Sequence, residues 1–170
     1  RLSATDLACL KGERLLFAKL ALDLGPGDML QLRGPNGVGK TSLLRILAGL
    51  ARPFAGKVEQ TGEVGLVDGR HALDTDRTLE DALKFWARLD GNAKLDGPLH
   101  TLGITPLADI PTRYLSTGQR QRAVIARLLL RPRPIWLLDE PLNGLDTQAV
   151  TSCAIIATQG ASACLCRTRR

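Results

Sequence analysis

With 170 residues, 44% of them hydrophobic, the chain is long enough to bury one α/β core and lies outside the compositions of disordered or fibrous proteins. No run approaches the roughly 18 apolar residues of a membrane span, which excludes a bilayer-crossing helix. The formal charge of +6 permits contact with anionic lipid or nucleic acid. Much of it is Arg scattered over helical stretches and the last few residues, the pattern of a solvated surface.

The chain opens on Arg1-Leu2-Ser3, with no basic-then-apolar targeting pattern and no initiator Met. Residues 5–10 and 15–17 read as short strands separated by the turn signal Lys11-Gly12-Glu13, and Gly25-Pro26-Gly27-Asp28 marks a second turn. Residues 29–32 form another short strand. It feeds Gly34-Pro35-Asn36-Gly37-Val38-Gly39-Lys40-Thr41, which meets the phosphate-cradling pattern G-x-x-x-x-G-K-[ST] at every fixed position. A helix over 41–50 follows, with Leu43, Leu44, Ile46 and Leu47 as its core face. A strand, a glycine loop and a helix in that order aim backbone N–H groups and the positive end of a helix dipole at one spot. Lys40 adds a mobile charge for β- and γ-phosphates, and the Thr41 hydroxyl is placed to ligate Mg²⁺. A nucleoside triphosphate is the ligand class this chemistry selects. The antiparallel start then predicts a small β layer beside a nucleotide-binding sheet.

Residues 53–56 end the first helical region, and 57–59 and 64–67 supply two more strands. From Thr78 the period changes: Leu79, Ala82, Leu83, Trp86 and Leu89 form a helical stripe with Phe85 beside it, read mainly as packed core. Residues 91–98 form a polar connection, and 99–104 a short helix ended by Thr105-Pro106. A helix then runs to Leu130, where Arg131-Pro132 stops it. At its start Ser116 and Gln119 stand at capping-box spacing. Residues 135–140 are an apolar run ending in Asp139-Glu140, suited to a parallel strand buried on both faces. Two acids there lie where open α/β sheets place ligand chemistry. Cys9, Cys153, Cys164 and Cys166 make no C-x-x-C pair and no zinc spacing, and free thiols in a reducing cytosol are expected.

In order, the phosphate loop, residues 115–119, Asp139-Glu140 and Asn143-Gly144-Leu145-Asp146 resemble the ATP-binding cassette family, over nearly the whole chain up to Asp146. Residues 34–53, 79–86 and 12–17 and the compact length further resemble the ATP-binding subunits of bacterial haem exporters of cytochrome c biogenesis. The resemblance implies an α/β P-loop NTPase fold with an N-terminal antiparallel β layer, a mostly parallel core sheet and a small helical subdomain. The cassette would span 1–146, with the helical part at about 75–131, and 147–170 would be an atypical, truncated or frame-altered tail. It implies that Gly34, Pro35, Asn36, Gly37, Val38, Gly39, Lys40, Thr41 and Ser42 hold ATP, and that Thr41 and Asp139 hold Mg²⁺. Glu140 would orient and deprotonate the attacking water. Ser116, Gly118 and Gln119 would complete the site of a second, facing cassette. Integral-membrane permease subunits would be the other partners, with no specific nucleic acid, at the cytoplasmic face of the inner membrane.

Three features depart from the family pattern. No aromatic stands near Lys11, where an adenine-stacking side chain is usual. Asp68-Gly69-Arg70-His71 stands where a Mg²⁺-sensing glutamine is usual. The histidines, His71 and His100, both precede Glu140, whereas the family's switch histidine follows it. The expectation is therefore firm ATP binding with weak hydrolysis. A soluble cassette acting on ribosome or DNA, and a nucleotide-binding pseudoenzyme, are the alternatives from other classes.

Overall fold

The computed structural model describes residues 1–67, 73–91, 94–131 and 133–139 and the backbone of 163–167. They fall into two compact units, one built from 1–67, 133–139 and 163–167 and the other from 73–91 and 94–131.

The first unit carries two sheets. Strands β1 (Leu2–Lys11), β2 (Arg14–Leu24) and β4 (Ala55–Gln60) form an antiparallel layer in the order β2-β1-β4. Strands β3 (Asp28–Leu32), β5 (Val64–Val67), β6 (Ile135–Asp139) and β7 (Ala163–Arg167) form a parallel sheet in the order β3-β7-β6-β5. Helix α1 (Lys40–Leu47) lies with both sheets around one core. Leu43, Leu44, Ile46 and Leu47 pack with Leu2, Ala4, Leu7, Cys9 and Leu24 of the antiparallel layer and with Ile135 and Leu137 of β6. These four are the residues that the helical period singles out, because one stripe of a short helix faces inward. The helix stops sooner than expected. Ala48 caps it, Gly49 takes a φ of +72°, and the Leu50 amide returns to the Arg45 carbonyl, leaving the Leu50 side chain exposed.

Every residue of β6 is buried, and it pairs in parallel with β5 on one side and β7 on the other, as a continuous apolar run requires. Strand β7 has no counterpart in the sequence reading, which saw only an atypical tail there. Cys9 is buried and forms no disulfide.

The antiparallel layer is irregular around Asp6. The pairing of β1 with β4 shifts register between Thr5 and Ala8, and Asp6 takes a φ of +50°. Opposite this bulge, Gly56 has a φ of +84°, and a Cβ there would stand 2.4 Å from the Thr5 carbonyl oxygen and 2.5 Å from that of Asp6. Both obstacles are backbone and neither can turn aside. Gly56→Ala is therefore expected to cost about 2–3 kcal/mol through combined strain and overpacking, read as a lowered denaturant midpoint with an unchanged slope.

The second unit is helical. Helix α2 (Leu79–Leu89) begins at Thr78, whose hydroxyl accepts the Asp81 amide at 3.2 Å, with Glu80 and Asp81 in the first turn to suit the dipole. Leu79, Ala82, Leu83 and Ala87 are its buried residues. The expected stripe is corrected at its far end. Leu89 is exposed, since it closes the helix on the flank of that face, and Trp86 is half-buried with the Arg127 guanidinium 3.4 Å from its ring centroid. Helix α3 (Asp96–Thr101) begins earlier than expected, ahead of Pro98. Proline is tolerated there because first-turn amides have no intrahelical partner to lose. Two 3-10 turns, Thr105–Leu107 and Thr112–Tyr114, lead to α4 (Thr117–Leu130), against which α2 and α3 pack.

Candidate nucleotide-binding site

In the first unit, the phosphate loop joins the end of β3 to the start of α1. Gly34, Gly37 and Gly39 have φ values of +150°, +81° and +105°, a backbone path that turns the loop around its own amides. Gly39 is also the N-cap of α1. It offers no side chain, no side-chain cap hydrogen bond is made, and the first turn holds no acidic residue. The first-turn amides are thus left for an anion. A Cβ on Gly39 would come within 3.1 Å of Leu16 Cβ and Phe17 Cδ1, so the β2 hairpin closes over this side of the loop.

The ammonium of Lys40, a residue only 8% exposed, bends back and donates to the carbonyl oxygens of Gly34 and, at 2.7 Å, Pro35. This places a cation inside the loop's curve, where it neutralises carbonyl dipoles until a stronger anion replaces them. Pro35 and Asn36, with Arg33 and Gly34, border an open cleft of about 510 Å³ on one side of the loop. Arg33 itself donates to Gln31 Oε1 at 2.8 Å. Gly37, Gly39, Lys40, Thr41 and Ser42 border a smaller cavity of about 160 Å³ on the other side, together with Lys11 and Leu16. Val38 is partly exposed, with a methyl group 3.4 Å from where a Gly34 Cβ would lie.

The Thr41 hydroxyl donates to Asp139 Oδ2 at 2.8 Å, across 98 positions of sequence. Asp139 is the last residue of β6 and is 7% exposed. The register explains the meeting. Asp139 and Leu32 are both paired with Arg167, so β3, β6 and β7 end at one level, and the loop springs from that level. A hydroxyl and a buried carboxylate side by side are hard oxygen donors suited to Mg²⁺, which takes one or two such ligands and completes its shell with water and phosphate oxygens. Among the described residues no group of three or more His, Cys, Asp or Glu is gathered.

Ser116, Gly118 and Gln119 belong to the second unit, at the start of α4. The capping box is formed in full: the Gln119 amide donates to Ser116 Oγ at 3.2 Å and the Ser116 amide to Gln119 Oε1 at 2.8 Å. The Ser116 hydroxyl keeps its proton for a further acceptor, whereas Gln119 has spent its carbonyl oxygen on the cap. Glu140, residues 68–71 and residues 143–146 lie outside the described residues. The residue that sequence reasoning missed is Leu16. Its only signal was pairing of β1 with β2, where Leu10 faces Leu15 and Cys9 faces Phe17, which sets the hairpin beside the loop.

The sequence pattern of the family described as ABC transporter matches residues 17–143, a span that takes in the loop, the α4 cap and Asp139. The chain belongs to the ABC transporter family. It is 55% identical over 145 residues to the cytochrome c biogenesis ATP-binding export protein CcmA of Novosphingobium aromaticivorans, covering 85% of this chain and 74% of that protein. Identity to the protein of the same name from Sphingopyxis alaskensis is 48% over 166 residues, covering 95% and 84%. An ATP-binding cassette solved as a dimer with ADP and Pi in a post-hydrolysis state shares the fold, with a TM-score of 0.83 at 20% identity over 100% of this chain and 88% of that one. The expected fold class is borne out: ABC cassettes are P-loop domains, and the antiparallel layer and parallel sheet are both present. Nucleotide binding follows from membership of the ABC transporter family, whose cassettes hydrolyse ATP to drive transport.

Proposed function

We propose that the chain is the ATP-binding, energy-coupling subunit of a membrane export complex of cytochrome c biogenesis, acting in haem export. The observation that carries the nucleotide part is the Thr41–Asp139 pair beneath a complete phosphate loop. The export part is supported by the 55% identity to a CcmA protein. In this reading Gly34 to Ser42 hold the triphosphate of ATP, and Lys40 exchanges its loop carbonyls for β- and γ-phosphate oxygens. Thr41 and Asp139 would hold Mg²⁺, which when bound neutralises charge on the phosphate oxygens. Glu140, next in sequence to the described carboxylate of Asp139, orients and deprotonates the attacking water.

Ser116 and Gly118 act on a different nucleotide, that of a facing second cassette. A capped helix start with a hydroxyl proton to give, as at Ser116, is chemically fit to meet a γ-phosphate. Gln119 contributes there by holding the cap in shape. Two cassettes closing on two ATP molecules would then move permease subunits, a population shift driven by contacts made only in the closed state. Among the described residues no helix is long and apolar enough to cross a membrane, so attachment to the cytoplasmic face of the inner membrane would run through those permeases. A cassette over 1–146, with helices at about 75–131, belongs to the same proposal, extended beyond the expected boundary by β7 (Ala163–Arg167), a strand of its parallel sheet.

The test is affinity capture of the tagged chain from detergent-solubilised bacterial membranes. Recovery with integral-membrane export subunits, in amounts that change when ATP replaces ADP, is the expected result. Recovery with ribosomal RNA or DNA instead would sink the transport reading.

A further inference from the structure

The peptide that joins Leu115 to Ser116 is gripped at both of its polar groups by the first turns of α4. Its N–H, that of Ser116, donates to Gln119 Oε1 at 2.8 Å. Its carbonyl, that of Leu115, accepts from the guanidinium of Arg120 at 3.1 Å. Arg120 thus does more than continue the helix. Its backbone amide donates to the Ser116 carbonyl at 2.8 Å, and its side chain turns back over the cap to reach the Arg113 carbonyl as well, at 3.4 Å.

Upstream, the chain arrives through the 3-10 turn Thr112–Tyr114, which is tied to residues 74–77. The Thr112 amide donates to the Arg77 carbonyl at 2.9 Å, and its hydroxyl, on a residue 2% exposed, donates to the Asp74 carbonyl at 2.6 Å. Arg113 pairs with Asp76 at 2.9 Å. Leu115 and Ser116 are the short span between this anchor and the helix, and Arg120 ties that span to α4.

Helix stability does not ask for an arginine here. The first turn of α4 holds no acid, and a cation folded back over it adds to the positive end of the dipole. Gly118, in the same turn, is a weak helix former. Local preferences set aside in this way mark a place shaped by something other than the helix. Guanidinium–carbonyl bonds are charge-assisted and come from a planar, rigid donor, so they fix direction as well as distance. What they fix here is the peptide that aims the Ser116 hydroxyl, whose oxygen accepts from the Gln119 amide and whose proton remains to be given.

We propose that Arg120 is a positioning residue for the second nucleotide. It holds the Leu115–Ser116 peptide so that the Ser116 hydroxyl meets the γ-phosphate of a facing cassette, and it acts through that serine. The proposal rests on the reading of Ser116 given above.

The test is association of the full chain, followed by sedimentation with Mg²⁺ and either ATP or ADP. Every protein carries Glu140→Gln to spare the ATP, and Arg120 is kept or replaced by Met or Lys. With Arg120 kept, two copies should associate in ATP and not in ADP, which has no γ-phosphate. Arg120→Met keeps the stem, loses the donors, and should weaken association in ATP about 10-fold, the scale of one hydrogen bond from a charged group. Arg120→Lys can still reach one carbonyl as a point charge and should weaken it only about 3-fold. ATP affinity of each variant's own loop, titrated in dilute protein, should stay within about 2-fold, because Arg120 and the loop belong to different units. A purely structural role would lower the thermal midpoint of Arg120→Met and leave association well below that midpoint unchanged, which would overturn the proposal. So would a lysine variant no better than methionine, or an equal loss of ATP affinity at the loop. If the protein with Arg120 kept binds ATP and does not associate, the reading of Ser116 fails first and the role of Arg120 falls with it.

Discussion

Lys40→Ala is expected to weaken ATP binding by at least about 100-fold while leaving the folded state in place. The magnitude follows from the setting of the ammonium. It is largely withdrawn from water, inside the curve of the loop, and its two carbonyl partners are poorer acceptors than phosphate oxygens. Truncating one partner of a desolvated, hydrogen-bonded charge pair typically costs about 2–5 kcal/mol, and 100-fold is about 2.7 kcal/mol. The fold should survive because Gly34 and Pro35 are exposed, so water can take over their carbonyls. Titration with ATP beside a thermal melt of the same sample checks both halves. An alanine variant that binds ATP as well as the natural chain would mean that the loop is not the phosphate cradle.

Glu140→Gln should lower ATP turnover by about 100-fold or more and leave ATP affinity nearly unchanged. The substitution preserves size and hydrogen bonding but removes a general base, a contribution typically worth about 10²- to 10⁴-fold. Asp139, the residue before it in sequence, is fixed at the end of β6 by Thr41. Turnover of the natural chain is expected to be slow, with Asp68-Gly69-Arg70-His71 where the family carries glutamine. A sensitive single-turnover assay is therefore the suitable measurement. Equal rates for both proteins would remove Glu140 from the chemistry and favour a nucleotide-binding pseudoenzyme.

Local pattern made part of this molecule legible and long-range pairing made the rest. The loop could be read because its glycines, Lys40 and Thr41 are contiguous and each answers a nearby demand of backbone or charge. The inward face of α1 could be read because a period of 3.6 survives in four apolar residues. The cap of α4 needed only Ser116 and Gln119 at the right spacing. Strand β7 offered no such handle. Ala163-Cys164-Leu165-Cys166-Arg167 has mixed propensity, and its strand state comes from hydrogen bonding to β3 and β6 on either side. Leu16 was missed for the same reason. Its importance lies in a cross-strand register that carries it to Gly39, and not in its sequence neighbours. The start of α3 was misjudged because Pro98 was taken as a boundary, although it falls in a first turn that has no amide bond to lose.

The sheet order β3-β7-β6-β5 also has a consequence in time. Strands β3 and β6 carry the loop and Asp139, yet neither is hydrogen-bonded to the other, because β7 lies between them. A chain emerging from the ribosome can close the antiparallel hairpin of β1 and β2 early, since those contacts are local. The edge between β3 and β6 must wait until residues 163–167 have been made. Until then the backbone groups of both strands on that side lack their partner, and Thr41 and Asp139 have no sheet to hold them at the same level. Nucleotide would thus find its complete site only after residues 163–167 have been made, and its binding would favour the completed sheet over any earlier arrangement.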